Sequence, residues 1–321
     1  GLQRYYERNW AEMQLESQAV TISQVENMTT GWESELFSFL LERGTPDRRQ
    51  QAELILRLHQ GAIAGRKAVY EFATLQRLAH VGYPVPQVYH VDDSGAFVGK
   101  PFLIMEKIQG RSLGALMQAA SSPTAFQALL AQFAQLFVQL HALDWRPFVT
   151  DAQAAQPRDD YYFIDQWLTR ASERCQTLAA IDFSPLVTWL AERRPLLACR
   201  QPAPVHQDFH PDNILIRADG TPVVIDWTTF AITDARFDLA WTLVLADMHL
   251  STAMREQLLQ IYETVRGQPV EQLDSFLVTA CFRRLMDFAV SFTAGAEQTG
   301  MRAEAVIAMQ ANQPAFVRAY D

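Results

Sequence analysis

The sequence predicts an α+β protein in two parts, a sheet-bearing first third and a mainly helical remainder. Three observations carry this. Short apolar or alternating runs crowd residues 19–58, the pattern of half-buried strands. Helical spacing takes over at residue 62 and dominates after Gly110. The chain has 321 residues, 49% hydrophobic and 11% aromatic, too long for one small core and apolar enough for two.

The elements follow in order. GLQRYYERNWAEMQ is a charged amphipathic stretch without a signal-peptide core. AVTISQV, ELFSFLL and AELILRL read as three strands, with a turn at ERGTP before the third. Residues 62–80 read as a helix whose apolar side is Val69, Phe72, Leu75 and Leu78. VGYPVPQVYHV breaks that helix with two prolines and leads into a strand. PFLIME is another apolar strand, and the first domain is placed at residues 1–108, the second at 109–321. In the second domain, residues 123–143 form a long amphipathic helix and 145–160 a loop or insertion. Helices are expected at 161–179 and 184–197, with three or four more from 236. One β island, NILIRADGTPVVID, interrupts them around Asp219-Gly220, a strong hairpin signal.

Composition narrows the function classes. The formal net charge is −9, and residues 1–149 carry 13 basic against 14 acidic side chains, residues 150–321 carry 14 against 22. A chain this acidic is a poor fit to nucleic acid. Cys175, Cys199 and Cys281 form no C-x-x-C pair, so a reducing, cytoplasmic setting is expected. No apolar run is long enough to cross a bilayer. The expected partners are small molecules, with no nucleic acid and no membrane.

The β island carries the chemistry. If Asp219-Gly220 is a two-residue loop, Asn213 and Asp226 face each other with Cβ atoms about 4.5–5.5 Å apart. An amide oxygen and a carboxylate so placed can share a hard divalent cation; the alternative is a hairpin with polar ends. Just upstream, residues His206 to Asn213 read H-x-D-x-x-x-x-N. That is the pattern of a kinase catalytic loop, in which the Asp accepts the acceptor's hydroxyl proton and the Asn holds Mg²⁺. Pro211 keeps His210 out of helical geometry, and His210 reads as a packed loop histidine.

The stretch VHQDFHPDNILIRADGTPVVIDWTTFAITDARFDLAW resembles the signature of the aminoglycoside phosphotransferase family, which includes choline-kinase-like and related small-molecule kinases. The resemblance runs across nearly the whole chain. It implies a protein-kinase-like two-lobe fold, with residues 1–108 the nucleotide-binding lobe and 109–321 the lobe of the catalytic loop and acceptor site. It implies Asp208 as catalytic base, Asn213 and Asp226 as Mg²⁺ ligands, ATP or GTP as donor, and a small-molecule hydroxyl as acceptor. His206 and Asp238 become supports of the loop, though Asp238 also reads as a helix cap. Arg57 takes the place of the cation that reaches the nucleotide phosphates, and Glu71 that of the carboxylate holding it. Lys67 is a rival partner for Glu71 at i,i+4 spacing. NMTTGWES sits where a phosphate-covering loop belongs, with Thr29, Thr30, Gly31 and Ser34 offering hydroxyls and backbone N–H groups. FLIMEKIQG resembles the interlobe hinge, with the Glu106 carbonyl and Ile108 N–H binding adenine and Met105 lining the pocket.

The departures are Gln207 for the usual Gly of H-G-D, Arg57 for a more typical Lys, and Trp227-Thr228 where protein kinases have Phe-Gly. None removes a group the chemistry needs. The expected function is phosphotransfer from ATP or GTP to a small-molecule hydroxyl. The alternative is a catalytically inactive nucleotide-binding regulatory protein, whose mark would be loss of Asp208, Asn213 or Asp226; all three are present. A protein kinase fits less well, for lack of a Gly-rich loop and an A-P-E segment. The acidic excess after residue 150 points to a cationic acceptor, an aminoglycoside-like amino sugar or an amino alcohol, with Asp159, Asp160 and Asp287 as an acidic wall.

Overall fold

The computed structural model describes residues 1–9, 20–28, 34–44, 49–154, 158–177, 182–293 and 307. These form two compact units, Gly1–Gln109 and Gly110–Thr293.

The first unit runs α1 (Leu2–Asn9), β1 (Val20–Asn27), β2 (Glu35–Arg43), β3 (Gln50–Leu58), α2 (Ala64–His80), β4 (Val88–Asp92) and β5 (Phe102–Glu106). Its strands make one antiparallel sheet in the order β1-β2-β3-β5-β4. The central strand β3 is buried from Leu54 to Leu58. The amphipathic N-terminal stretch is helical over α1, whose Tyr5 and Tyr6 bury against Phe39, Leu54, Leu56 and Phe102.

Helix α2 buries only part of the face its sequence suggests: Leu75 and Leu78 are buried as expected, while Phe72 is half-buried. Ala64, Ala68, Glu71, Thr74, Leu75 and Leu78 are buried, whereas Val69 is 43% exposed. Three-residue steps fall short of a full turn and drift around a helix of 3.6 residues per turn. Residues at i, i+4, i+7, i+11 and i+14 stay on one side. That side carries a carboxylate, Glu71, into the interior.

The second unit runs β6 (Gly110–Ser112), α3 (Leu113–Gln118), α4 (Pro123–Ala142), α5 (Asp151–Ala154), α6 (Tyr162–Thr177), α7 (Ser184–Arg193), β7 (Ala203–Val205), β8 (Ile214–Arg217), β9 (Pro222–Val224), β10 (Ala231–Thr233), α8 (Ala235–His249), α9 (Thr252–Arg266) and α10 (Leu273–Thr293). Ser112, Ser122 and Ser251 cap α3, α4 and α9 with their side-chain oxygens. Helix α7 ends at Arg193 and passes into a 3₁₀ turn at Arg194–Leu196, where Pro195 supplies no N–H to continue it. The expected insertion at 145–160 contains a 3₁₀ turn, Arg146–Phe148, and the four-residue α5. Among the described residues no helix is long and apolar enough to cross a membrane.

The hairpin differs from expectation by one residue. Ile214 pairs with Val224, Leu215 with Val223 and Ile216 with Pro222. Arg217 N–H donates to the Thr221 carbonyl and Gly220 N–H to the Arg217 carbonyl, both at 2.9 Å. Gly220 has φ +85°, so the loop is the three residues Ala218-Asp219-Gly220, closed by a left-handed glycine. Asn213 therefore stands opposite Ile225, whose N–H it accepts at 2.9 Å. Asp226 follows one residue later and is not its cross-strand partner.

Candidate active site

The loop from His206 to Asn213 is held by the helix that follows it in sequence. Asp238, fully buried in the first turn of α8, accepts the backbone N–H of His206 on Oδ2 and of Gln207 on Oδ1, both at 2.7 Å. His141 Nε2 lies 3.2 Å from Oδ2, with Nδ1 2.8 Å from the Tyr262 hydroxyl. Several donors to one buried carboxylate offset its desolvation. The helix cap is Asp234, which accepts Arg236 N–H at 2.9 Å, so Asp238 supports the loop rather than capping α8. His206 completes the support: Nε2 lies 2.9 Å from the Ile225 carbonyl, and its own carbonyl accepts the Thr229 hydroxyl at 2.7 Å.

The anchored loop tolerates an unfavourable backbone. Gln207 has φ +65°, where a non-glycine residue costs about 1–2 kcal/mol. Its carbonyl accepts Arg283 Nη1 at 3.2 Å. Phe209 is fully buried, stacked 4.3 Å from Phe137, and its carbonyl accepts the Thr242 hydroxyl at 2.8 Å. Asp208 lies between these fixed points with its side chain 40% exposed. Its Oδ1 accepts Trp241 Nε1 at 3.2 Å, and Oδ2 lies 3.7 Å from His210 Nε2.

Two further oxygen donors flank the loop. Asn213 is buried, and its Nδ2 donates to the Asp208 carbonyl at 2.9 Å, which turns the amide oxygen away from that carbonyl. Asp226 has φ +66°, and its Oδ1 accepts the Thr228 hydroxyl at 3.2 Å. Behind it Trp227 is fully buried and donates Nε1 to the Val224 carbonyl at 2.9 Å. Left-handed non-glycine residues on both segments mark a site where geometry outweighs backbone preference. An amide oxygen and a carboxylate suit Mg²⁺, whose shell substrate phosphates and water usually complete. Among the described residues, no group of three or more His, Cys, Asp or Glu side chains could hold a metal by itself.

The first unit brings Arg57 and Glu71 together. Arg57 Nη1 lies 3.1 Å from Glu71 Oε1, with Arg57 6% and Glu71 1% exposed. Arg57 Nε donates to Ser34 Oγ at 3.2 Å, and His59 Nε2 lies 3.3 Å from Glu71 Oε2. His59 was not singled out in the sequence; its signal is the two-residue step from Arg57, which puts both side chains on one face. Met105 is buried and pairs with Ile55 of β3; Glu106 ends β5 and donates its N–H to the Gln87 carbonyl at 2.8 Å; Ile108 is half-buried two residues on. Thr29, Thr30 and Gly31 lie outside the described residues.

The residues expected to form an acidic wall are matched by arginines. Asp159 lies 4.0 Å from Arg194 and Asp160 4.0 Å from Arg200. The Asp287 side chain lies outside the described ones. Trp241, Thr242 and Arg283 escaped the sequence reading. Trp241 and Thr242 stand three and four residues after Asp238 and so share its helix face; that spacing was the available signal.

The family model described as phosphotransferase enzyme family matches residues 34–273. Among curated proteins, acyl-CoA dehydrogenase family member 10 of Mus musculus is 26% identical over 180 residues, covering 54% of this chain and 16% of that protein. Acyl-CoA dehydrogenase family member 11 of Rattus norvegicus is 26% identical over 208 residues, 63% of this chain and 26% of that protein. The chain thus spans about a sixth to a quarter of the length of these relatives. Among solved structures, a candidate aminoglycoside phosphotransferase from Ralstonia eutropha superposes with TM-score 0.67 at 18% identity, covering 98% of this chain and 94% of that one. Macrolide 2'-phosphotransferase type I gives 0.62 at 15%, covering 97% and 96%. Aminoglycoside phosphotransferase APH(4)-Ia, in a ternary complex with ADP and hygromycin B, gives 0.59 at 17%, covering 96% and 97%. At these identities the structural likeness is one of fold.

Proposed function

The chain belongs to the phosphotransferase enzyme family, and from that premise we propose that it transfers the γ-phosphoryl group of ATP or GTP to a hydroxyl of a small molecule. The observation that carries this reading is the half-open carboxylate of Asp208, fixed at one oxygen by Trp241 and tied through its carbonyl to Asn213. Asp208 takes the proton of the acceptor hydroxyl as that oxygen attacks the γ-phosphorus. The bond to the β–γ bridging oxygen breaks, and ADP or GDP leaves.

Asn213 and Asp226 would hold Mg²⁺ through their side-chain oxygens. When bound, the ion neutralises charge on the phosphate oxygens and helps fix them in line. Arg57 brings a guanidinium to the phosphates, with Glu71 setting its direction at 3.1 Å. The Glu106 carbonyl and Ile108 N–H bind the base beside Met105. The ADP complex of APH(4)-Ia supports a nucleotide donor.

The test is release of ADP or GDP by the purified chain, with Mg²⁺, nucleotide and a panel of hydroxylated acceptors. Acceptor-dependent release that Asp208→Asn silences is expected. Release indifferent to acceptor and to Asp208→Asn would overturn the reading.

A further inference from the structure

Two arginines stand at the indole that holds Asp208. Helix α10 carries Arg283 and Arg284 side by side, with guanidinium carbons 4.1 and 5.9 Å from the centre of the Trp241 ring. Trp241 donates Nε1 to Asp208 Oδ1 at 3.2 Å, and Arg283 Nη1 reaches the carbonyl of Gln207 at 3.2 Å. One indole thus has the carboxylate at its N–H edge and a guanidinium over its face. His210 Nε2 stands 3.7 Å from Asp208 Oδ2. His249, at the end of α8, has its pKa lowered first by loss of solvent and then by the charges of Arg284 and His210. Those three groups therefore share one electrostatic neighbourhood. Asp247, on the same helix, lies 3.3 Å from Arg255.

Holding Asp208 does not require this much positive charge, since Trp241 already fixes Oδ1. Neither arginine need be without other contacts to bind more. A guanidinium offers five N–H donors in a planar fork that matches a carboxylate or phosphate. Stacked on the same indole that donates to a proton-accepting carboxylate, such a fork selects a ligand that brings a negative group and a hydroxyl together.

We infer that the acceptor is a hydroxy compound bearing a carboxylate or phosphate, bound through Arg283 and Arg284 with its hydroxyl toward Asp208. This rests on the phosphotransfer reading and reverses the amino-sugar expectation drawn from net charge. Net charge sums over the whole surface, whereas recognition depends on the few groups at the site.

The experiment is calorimetric titration of the full chain, with Mg²⁺ and a non-hydrolysable ATP analogue present. The probes are glycerate, glycerol 3-phosphate, glycerol and 2-aminopropane-1,3-diol, one three-carbon frame differing in charge. At least one anion should bind about tenfold or more tightly than glycerol and the amine, the scale of a hydrogen bond to a charged group. Glycerate against glycerol 3-phosphate distinguishes a carboxylate from a phosphate ligand. Arg283→Gln and Arg284→Gln should each weaken that anion about tenfold while leaving nucleotide affinity unchanged. If either variant fails to fold, Arg283→Lys and Arg284→Lys replace them, and the wild-type ranking decides on its own. A best-binding amine, anions no tighter than glycerol, or no saturable binding of any probe overturns the inference. Anion binding without nucleotide turnover on any acceptor counts against phosphotransfer alone; turnover with no anion preference counts against the anion site alone.

Discussion

Asp208 has the surroundings that the proposed role of base requires. One oxygen is held by the Trp241 N–H, and the other keeps partial access to solvent, beside His210. Asp208→Asn retains the shape and the hydrogen bond but cannot accept a proton. Turnover should fall about 10²–10⁴-fold with nucleotide affinity unchanged, measured by ADP or GDP release alongside equilibrium binding; near-wild-type turnover would remove Asp208 from the mechanism. Glu71 presents the opposite case, because its carboxylate is buried against Arg57 and close to His59. Removing one member of a buried pair leaves the other charge without compensation, at about 3–5 kcal/mol. Glu71→Ala should therefore lose stability on that scale in urea titrations as well as losing activity. A variant with wild-type stability but low activity would mean that Glu71 orients Arg57 without helping to hold the fold.

At the scale of elements, α2 offers a direct comparison of two neighbouring positions. Ala68 is fully buried and Val69 exposed, so Ala68→Leu should cost about 1–3 kcal/mol. Val69→Ala should stay within about 0.5 kcal/mol. The reverse order in thermal or urea unfolding would mean that the helix presents the other face. The α1–β4 contact carries a pH dependence. His90 packs edge-on to the rings of Tyr5 and Tyr6, and burial lowers its pKa to about 4. Its unfolded value is higher, so the unfolded chain binds the extra proton and stability falls as pH drops from about 6.5 toward 4. His90→Gln should flatten that part of the stability curve; an unchanged slope would show that His90 does not contribute to it. These elements also show what the sequence could tell. The strands and the main helices were legible because apolar alternation and turn residues encode local structure, whereas the Arg57–Glu71 approach came through the family resemblance. The start of the α2 face, at Val69, was misplaced because three-residue steps look amphipathic on paper but spiral around a helix, so that of the expected residues only Leu75 and Leu78 reach the core. The hairpin register was misread because Asp-Gly fits both a two-residue loop and the end of a three-residue one, and only the ladder distinguishes them. Trp241 had only its three-residue step from Asp238 as a signal, and Arg283 had none, since nothing local in α10 announces contact with a loop 76 residues away.

For the whole molecule, the net charge of −9 becomes a statement about how a nucleotide can bind. A polyanionic phosphate chain approaching an acidic protein meets repulsion from the summed field. Arg57, the cation proposed for the phosphates, is already engaged with Glu71. Asn213 and Asp226 add oxygens, which lower the potential further unless a divalent cation lies between them and the phosphates. Nucleotide binding should therefore depend on Mg²⁺ as a property of the entire fold, readable in its melting temperature. A ligand at one hundred times its Kd adds about 2.7 kcal/mol to the folded state. With an unfolding entropy of about 2.1 cal/mol/K per residue, a chain of 321 residues should gain about 4 °C in Tm from Mg²⁺ with ATP or GTP. Chelating the metal should abolish most of that gain in the wild type. In Asp226→Ala the gain should already be small and indifferent to chelation if Asp226 is, as proposed, the carboxylate that retains the ion. A full gain in the wild type under chelation would show that nucleotide binds without metal. An undiminished, chelator-sensitive gain in Asp226→Ala would place the ion on other ligands.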